Sequence, residues 1–362
     1  MTEAGQFAPD WVSAPGETIA DVADERGWSQ SDLSLRLGYT RKHVNDLFRG
    51  RAVITPDTAQ RLATVLGSTP AFWLTREAQY QAGLERQRRS EELASQSGWL
   101  AELPTRWMIQ RGWVTRSAKK SQLVDQLLRW FGVASVDAWR DAYLEPLAAF
   151  RASPSISKRV GAVAAWLRAA EIKAMQTECR AFDSAGLHSE IDTLRALSAE
   201  VSPDIFVPRL RDICAAHGVA VVFVPAPPGC PVHGATRWLK SDKALLALSL
   251  RCKSNDQLWF SFFHEIGHIL KHGKRLLFIE GIDGLSQDKE READRFAADT
   301  LIPPGEVPKL RSLRSAANVC AIASSLGVAP GIVVGRMQHE GWLPHSYLND
   351  LKVRYVWSED QS

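Results

Sequence analysis

Apolar residues recur every three to four positions along most of this chain, the spacing of helices that bury one face, so a mainly α protein is expected. The first such stretch is 17–25, with Ile19 and Val22 on one side. Ser29 is placed to cap a second helix, in which Leu33 and Leu37 turn inward and which Gly38 ends. Thr40 opens a third, with Val44, Leu47 and Phe48 inward and Arg41, Lys42, His43 and Asn45 outward; Gly50 closes it, and 55–66 forms a fourth. Residues 84–92, rich in Arg, Gln and Glu, are expected to continue as an exposed connecting helix. Helical spacing returns at 121–131, 136–150, 157 to about 182 and 189–198, with a short break at 152–155.

A different pattern begins after a helix at 208–217. Residues 219–224 are a continuous apolar run between Gly218 and Pro225, which reads as a buried strand. Two more strands, 234–239 and 243–250, flank a turn at Ser241 and Asp242. Asp256 is expected to cap the next helix, in which Phe262, Phe263, Ile266, Ile269 and Leu270 form an apolar flank. Gly267 lowers helix propensity there, which makes sense where another backbone or a substrate passes close by. A helix at 290–300 follows, with Ala293, Phe296 and Ala297 in a stripe, and then helices at 317–328 and 332–339.

Composition narrows the class without choosing a function. With 362 residues, 45% of them apolar and 23% charged, the chain has room for two or three domains and a sizeable core. A net charge of only +3 means that a nucleic-acid or membrane partner must be read from a local patch. The five scattered cysteines argue against a disulfide framework and fit a reducing cytosol. Neither a signal sequence nor a run of about 20 apolar residues occurs, so a cytoplasmic protein without a membrane partner is expected. Trp130, Trp139 and Trp166 fall inside helical patterns and read as core residues.

The sharpest chemical signal is His264-Glu265-Ile266-Gly267-His268. On a helix, two histidines four residues apart share a face and can reach one ion, while Glu265 lies beside that ion as a proton acceptor for metal-assisted hydrolysis. Zinc needs a further protein ligand, and Glu290 is the best candidate; Asp294, one turn later, can accept the second ring N–H of His264. The alternative is an acidic helix start in which Asp288, Glu290 and Glu292 merely complement the dipole. Cys230 and Cys252 are rival ligands without a motif around them. His272 lies eight residues beyond His264, about 12 Å along a helix, which places it too far away to join. His233, Arg237, His339 and His345 are all candidates to stabilise an oxyanion.

A second signal is local charge. Residues 26–51 hold six basic side chains (Arg26, Arg36, Arg41, Lys42, Arg49 and Arg51) against Asp32 and Asp46. Two helices joined by a tight glycine turn, the second with a basic and amide-bearing outer face, suit a major-groove reader. Arg41 can pair a guanine edge and Asn45 an adenine edge, while Ser29, Gln30 and Lys42 hold phosphates; Thr40 and His43 complete the candidate set. A helical protein-docking module with a solvated basic face is the alternative.

Two resemblances follow from these residues. His264-Glu265-Ile266-Gly267-His268, Glu290-Arg291-Glu292-Ala293-Asp294-Arg295-Phe296-Ala297 and Leu301-Ile302-Pro303 resemble the ImmA/IrrE-type zinc metallopeptidases, although many members carry Asn where Asp294 stands. That resemblance implies Zn2+ on His264, His268 and Glu290, with Glu265 as catalytic base. By analogy with such peptidases, Gly234, Ala235, Thr236, Arg237 and Trp238 would form the strand that pairs with an extended substrate. Pro15-Gly16-Glu17-Thr18-Ile19, Trp28-Ser29-Gln30, Ile54-Thr55-Pro56-Asp57-Thr58-Ala59 and Phe72-Trp73-Leu74 resemble the HigA-type antitoxins of the XRE helix-turn-helix group. This implies binding of a double-stranded operator as a homodimer.

The expected architecture is multidomain and mainly α: a helix-turn-helix bundle at 1–85, a helical linker region at 86–204, an α+β zincin-like peptidase core with a small mixed sheet at 205–305, and a helical cap at 306–362. The expected function is a transcriptional regulator whose zinc endopeptidase domain cleaves a partner repressor or toxin. The competing expectation is a non-proteolytic antitoxin or repressor that uses the zinc domain for sensing or docking.

Overall fold

The computed structural model describes residues 12–144, 157–251, 253–273, 278–279 and 287–357. Two compact units divide the chain, 1–97 with 119–122, and 98–118 with 123–362. The protein is multidomain and mainly helical, with one small mixed sheet in the second unit.

The first unit is built from α1 (Pro15–Glu25), α2 (Gln30–Leu37), α3 (Arg41–Phe48), α4 (Pro56–Leu66) and α5 (Pro70–Ser95). Proline occupies the first helical position of α1, α4 and α5, where its missing N–H costs nothing. Ser29 and Asp32 form a reciprocal capping box on α2, and Thr40, Thr55 and Thr69 cap the three helices that follow. Gly38 ends α2 at φ 70°, a left-handed conformation that suits glycine. Ile19, Leu33, Leu37, Val44, Leu47, Leu62 and Trp73 meet in one core, each stabilising it by about 1.5–3 kcal/mol. Gly16 lets α1 touch α3, since a Cβ there would lie 2.2 Å from the Leu47 carbonyl oxygen. The connecting helix expected at 84–92 is the distal part of the 26-residue α5.

The second unit takes α6 (Lys120–Phe131) from residue 123 on, and α7 (Ser157–Gln176), α8 (Pro203–Ala216) and the sheet follow. Trp99, Phe131 and Trp139 form a buried aromatic cluster. The helix expected over 136–150 is α-helical over Val136–Trp139 and π-helical over Arg140–Leu144; 145–150 and the break at 152–155 lie outside the described residues. The helix expected to reach about 182 stops at Gln176, because the Arg180 and Phe182 N–H groups bond instead to the carbonyls of Ala215 and Asp242.

The sheet comprises β1 (Val219–Phe223), β2 (Gly234–Lys240), β3 (Lys243–Leu248) and β4 (Phe278–Ile279), in the order β1-β3-β2-β4. β1 pairs with β3 in parallel, and the other two pairings are antiparallel. Against it lies α9 (Asn255–Lys271), whose Trp259, Phe262, Phe263, Ile266 and Ile269 join the core of this unit. Ser254, not Asp256, is the N-cap of α9. Asp256 is instead buried and ion-paired with Lys352 at 2.6 Å, a long-range contact that local cap rules do not reveal. α10 (Gln287–Leu301) crosses α9 at Gly267, where a Cβ would lie only 3.3 Å from the Ala293 Cα. α11 (Ala316–Leu326) and α12 (Pro330–His339) complete the core. Among the described residues no single helix is long and apolar enough to cross a membrane.

Candidate functional site

The close approach at Gly267 brings the acidic face of α10 onto the histidine face of α9. His264 Nε2 lies 2.9 Å from His268 Nε2 and 3.2 Å from Glu290 Oε2, and His268 Nε2 lies 3.5 Å from Glu290 Oε1. Two ligands about 2.0–2.1 Å from a tetrahedral ion stand about 3.3 Å apart, so these spacings match the edges of a zinc-sized site. Both rings are almost wholly buried, whereas Glu290 is about a third exposed. Burial pulls the His268 imidazole down, against the raising effect of Glu290. Burial also pushes the Glu290 carboxyl up, but the hydrogen bonds and charge of the two rings outweigh it and hold the group well below the usual carboxylate range. Three electron-rich atoms that face one another in this way can hold one divalent cation.

Asp294 Oδ1 lies 2.9 Å from His264 Nδ1, positioned to accept its N–H. Glu265 reaches β2 and is fully buried. Thr236 Oγ1 donates to its Oε2 at 2.5 Å, and a Cβ on Gly234 would stand 2.7 Å from its Oε1. Sequence reasoning placed Gly234 and Thr236 on a substrate strand and missed that they form the seat of Glu265; their spacing of two, which puts both on one face of a strand, was the available signal.

Of the strand expected to pair with an extended substrate, Gly234 to Trp238, Ala235 and Thr236 pair instead with Ile279 and Phe278 of β4. Arg237 bonds to the buried Glu171 of α7, and Trp238 meets Phe182 edge-on at 4.8 Å between centroids. Of the oxyanion candidates, Arg237 is thus engaged elsewhere, and His345 is exposed. His233 and His339 line a cleft of about 790 Å³ together with Phe260, Asp294, Arg295 and Arg336. Cys230 is buried and outside the cluster, and Cys252 lies outside the described residues. His272 is not in the ligand cluster of His264, His268 and Glu290, as its distance from His264 led one to expect, but its Nδ1 stands 2.9 Å from His268 Nδ1. The relevant spacing is four residues from His268, about 6 Å, and not eight from His264.

On the first unit, Gln30, Arg41 and Lys42 are exposed on α2 and α3, and His43 and Asn45 are half-buried beside them. The Ser29 and Thr40 side chains serve as helix caps. Three of the six basic residues are tied into the fold: Arg26 bonds the carbonyls that end α4, Arg36 stacks over Trp28, and Arg51 pairs with Asp46. Arg41, Lys42 and Arg49 remain as the outward charge of the patch.

Fold and sites together define a class, a helix-turn-helix DNA-binding regulator domain followed by a peptidase-like domain. Residues 19–74 match the family model described as helix-turn-helix, and 214–337 match that of the IrrE N-terminal-like domain. The chain therefore carries an XRE-type helix-turn-helix joined to an ImmA/IrrE-like domain. It is 32% identical over 60 residues to an uncharacterised HTH-type transcriptional regulator, YddM, of Escherichia coli (strain K12), a match spanning 17% of this chain and 64% of that protein. A putative antidote protein of a plasmid maintenance system from Nostoc punctiforme is 30% identical, with 22% of this chain and 89% of that one covered and a TM-score of 0.22. An addiction module antidote protein of a HigA family from Coxiella burnetii is 28% identical at the same coverage, with a TM-score of 0.21.

Proposed function

We propose that this chain is a transcriptional regulator that binds a double-stranded operator as a homodimer and cleaves a partner protein, a repressor or a toxin, with a zinc-dependent endopeptidase site. What carries this reading is the convergence of His264, His268 and Glu290, whose ligand atoms all lie within 4.8 Å of one another. Those residues hold the metal, three protein ligands being the number that leaves a catalytic zinc an open position. When bound, zinc supplies Lewis acidity, polarising the scissile carbonyl and acidifying water. Glu265 accepts the proton and returns it to the leaving amine, oriented by the Thr236 hydroxyl. Asp294 keeps the His264 hydrogen on Nδ1, so that Nε2 presents a lone pair. At the other unit, Arg41 and Asn45 read base edges, and Gln30 and Lys42 grip phosphates, with Ser29, Thr40 and His43 setting the helix ends that present them.

One observation favours a second reading, a sensing or docking module that cleaves nothing: Glu265 is fully buried against β2. The two readings separate in Glu265→Gln. Cells carrying wild type or this variant are compared for cleaved partner proteins, with gel-shift titration of the operator alongside. Cleavage in wild type alone, with zinc content and operator binding equal, supports the peptidase. Equal cleavage removes Glu265 from the chemistry, and no cleaved partner in either strain supports the docking module.

A further inference from the structure

His264 is steadied by a carboxylate in direct contact, Asp294 Oδ1 at 2.9 Å. On the Nδ1 side of His268 the neighbour is another imidazole. His272, the C-cap residue of α9, sits with its Nδ1 2.9 Å from His268 Nδ1 and its Nε2 3.2 Å from Glu292 Oε2 on α10. Its side chain is only 4% exposed, so this geometry is not that of a solvated surface histidine.

We propose that His272 and Glu292 form a positioning relay that sets the tautomer and ring orientation of His268 and so tightens metal binding at His264, His268 and Glu290. It rests on the metal reading above. The assignment follows from hydrogen counting. A carboxylate only accepts, so His272 Nε2 carries the hydrogen that faces Glu292. Lys271 Nζ, 3.2 Å from the other oxygen, favours the charged carboxylate. In the neutral ring Nδ1 of His272 is then a lone pair, and the 2.9 Å contact must take its hydrogen from His268 Nδ1. His268 Nε2 is thereby left as a lone pair, facing Glu290 Oε1 at 3.5 Å and His264 Nε2 at 2.9 Å. Both histidines reach the same tautomer by different routes, one through a carboxylate and the other through an imidazole backed by a carboxylate. Replacing the acceptor at position 272 removes that hold on the Nδ1 hydrogen and favours the tautomer with hydrogen on Nε2, where it would point at the cation.

The test measures the zinc dissociation constant of the full chain by competition with a chromogenic chelator, with a thermal melt of the metal-free protein in parallel. His272→Phe keeps volume and removes the acceptor, and weakens zinc binding by about 10–100-fold. His272→Asn places an amide oxygen where Nδ1 stood and restores most of that loss, a rescue that a role in packing alone does not give. Glu292→Leu, at a half-exposed position, weakens binding in the same direction and serves should the Phe variant fail to fold. Unchanged affinity in both His272→Phe and Glu292→Leu overturns the relay and leaves the metal reading standing. Equal weakening by Phe and Asn overturns it in favour of packing. A wild-type chain that binds no zinc overturns the metal reading, and the relay with it.

Discussion

The helix-turn-helix face and the crossing of α9 with α10 solve opposite problems. On α2 and α3 the candidate contacts are outward, while the core beneath them is made by other residues, Leu33, Leu37, Val44 and Leu47. Side chains can change there without opening the core. At the crossing, His264, Glu265 and His268 are themselves buried, on a helix whose Phe262, Phe263 and Ile266 belong to the core of the unit. Chemistry and folding share one set of residues. Buried polar groups of that kind are costly unless every lone pair and hydrogen has a partner, which accounts for the supporting ring of Thr236, Asp294, His272 and Glu292.

That contrast can be broken by four substitutions. Phe263→Ala, in the core beside His264, should cost about 3–5 kcal/mol in chemical denaturation and lower metal retention with it. Gly234→Ala drives a Cβ into Glu265 Oε1 and should cost about 1–3 kcal/mol in the same assay, with cleavage falling further than stability. On the other unit, Arg41→Ala should weaken operator binding in gel shifts by about 1–3 kcal/mol and leave the melting temperature unchanged. Ser29→Ala removes the capping box of α2 and should lower stability by only about 1 kcal/mol. If Arg41→Ala unfolds the first unit, or if Gly234→Ala leaves both stability and cleavage intact, the proposed division between an independent face and a shared core is wrong.

What the sequence made legible was local. Ser29, Gly38, Thr40 and Thr55 announce helix ends through rules spanning three or four residues, and these helices form as expected. The facing of His264 and His268 follows from helical repeat alone, and Gly267 marks where α10 passes. What stayed hidden depends on contacts far apart in the chain. Arg26 looks like surface charge, yet it caps a helix end at Val65 and Leu66. Asp256 looks like a cap, yet its partner is Lys352. β4 is two residues long and carries no periodic signal, so the covering of Ala235 and Thr236 could not be foreseen. His272 was within reach of sequence reasoning, had distance been counted from His268.

The most direct measurement is the metal content of the purified full chain, by mass spectrometry of the elements, for wild type and Glu290→Ala side by side. About one zinc per chain is expected in wild type and essentially none in the variant, because two imidazoles alone do not complete the site. A zinc-free wild type, or a variant that retains zinc as well as wild type does, would contradict the assignment of His264, His268 and Glu290 as a metal centre.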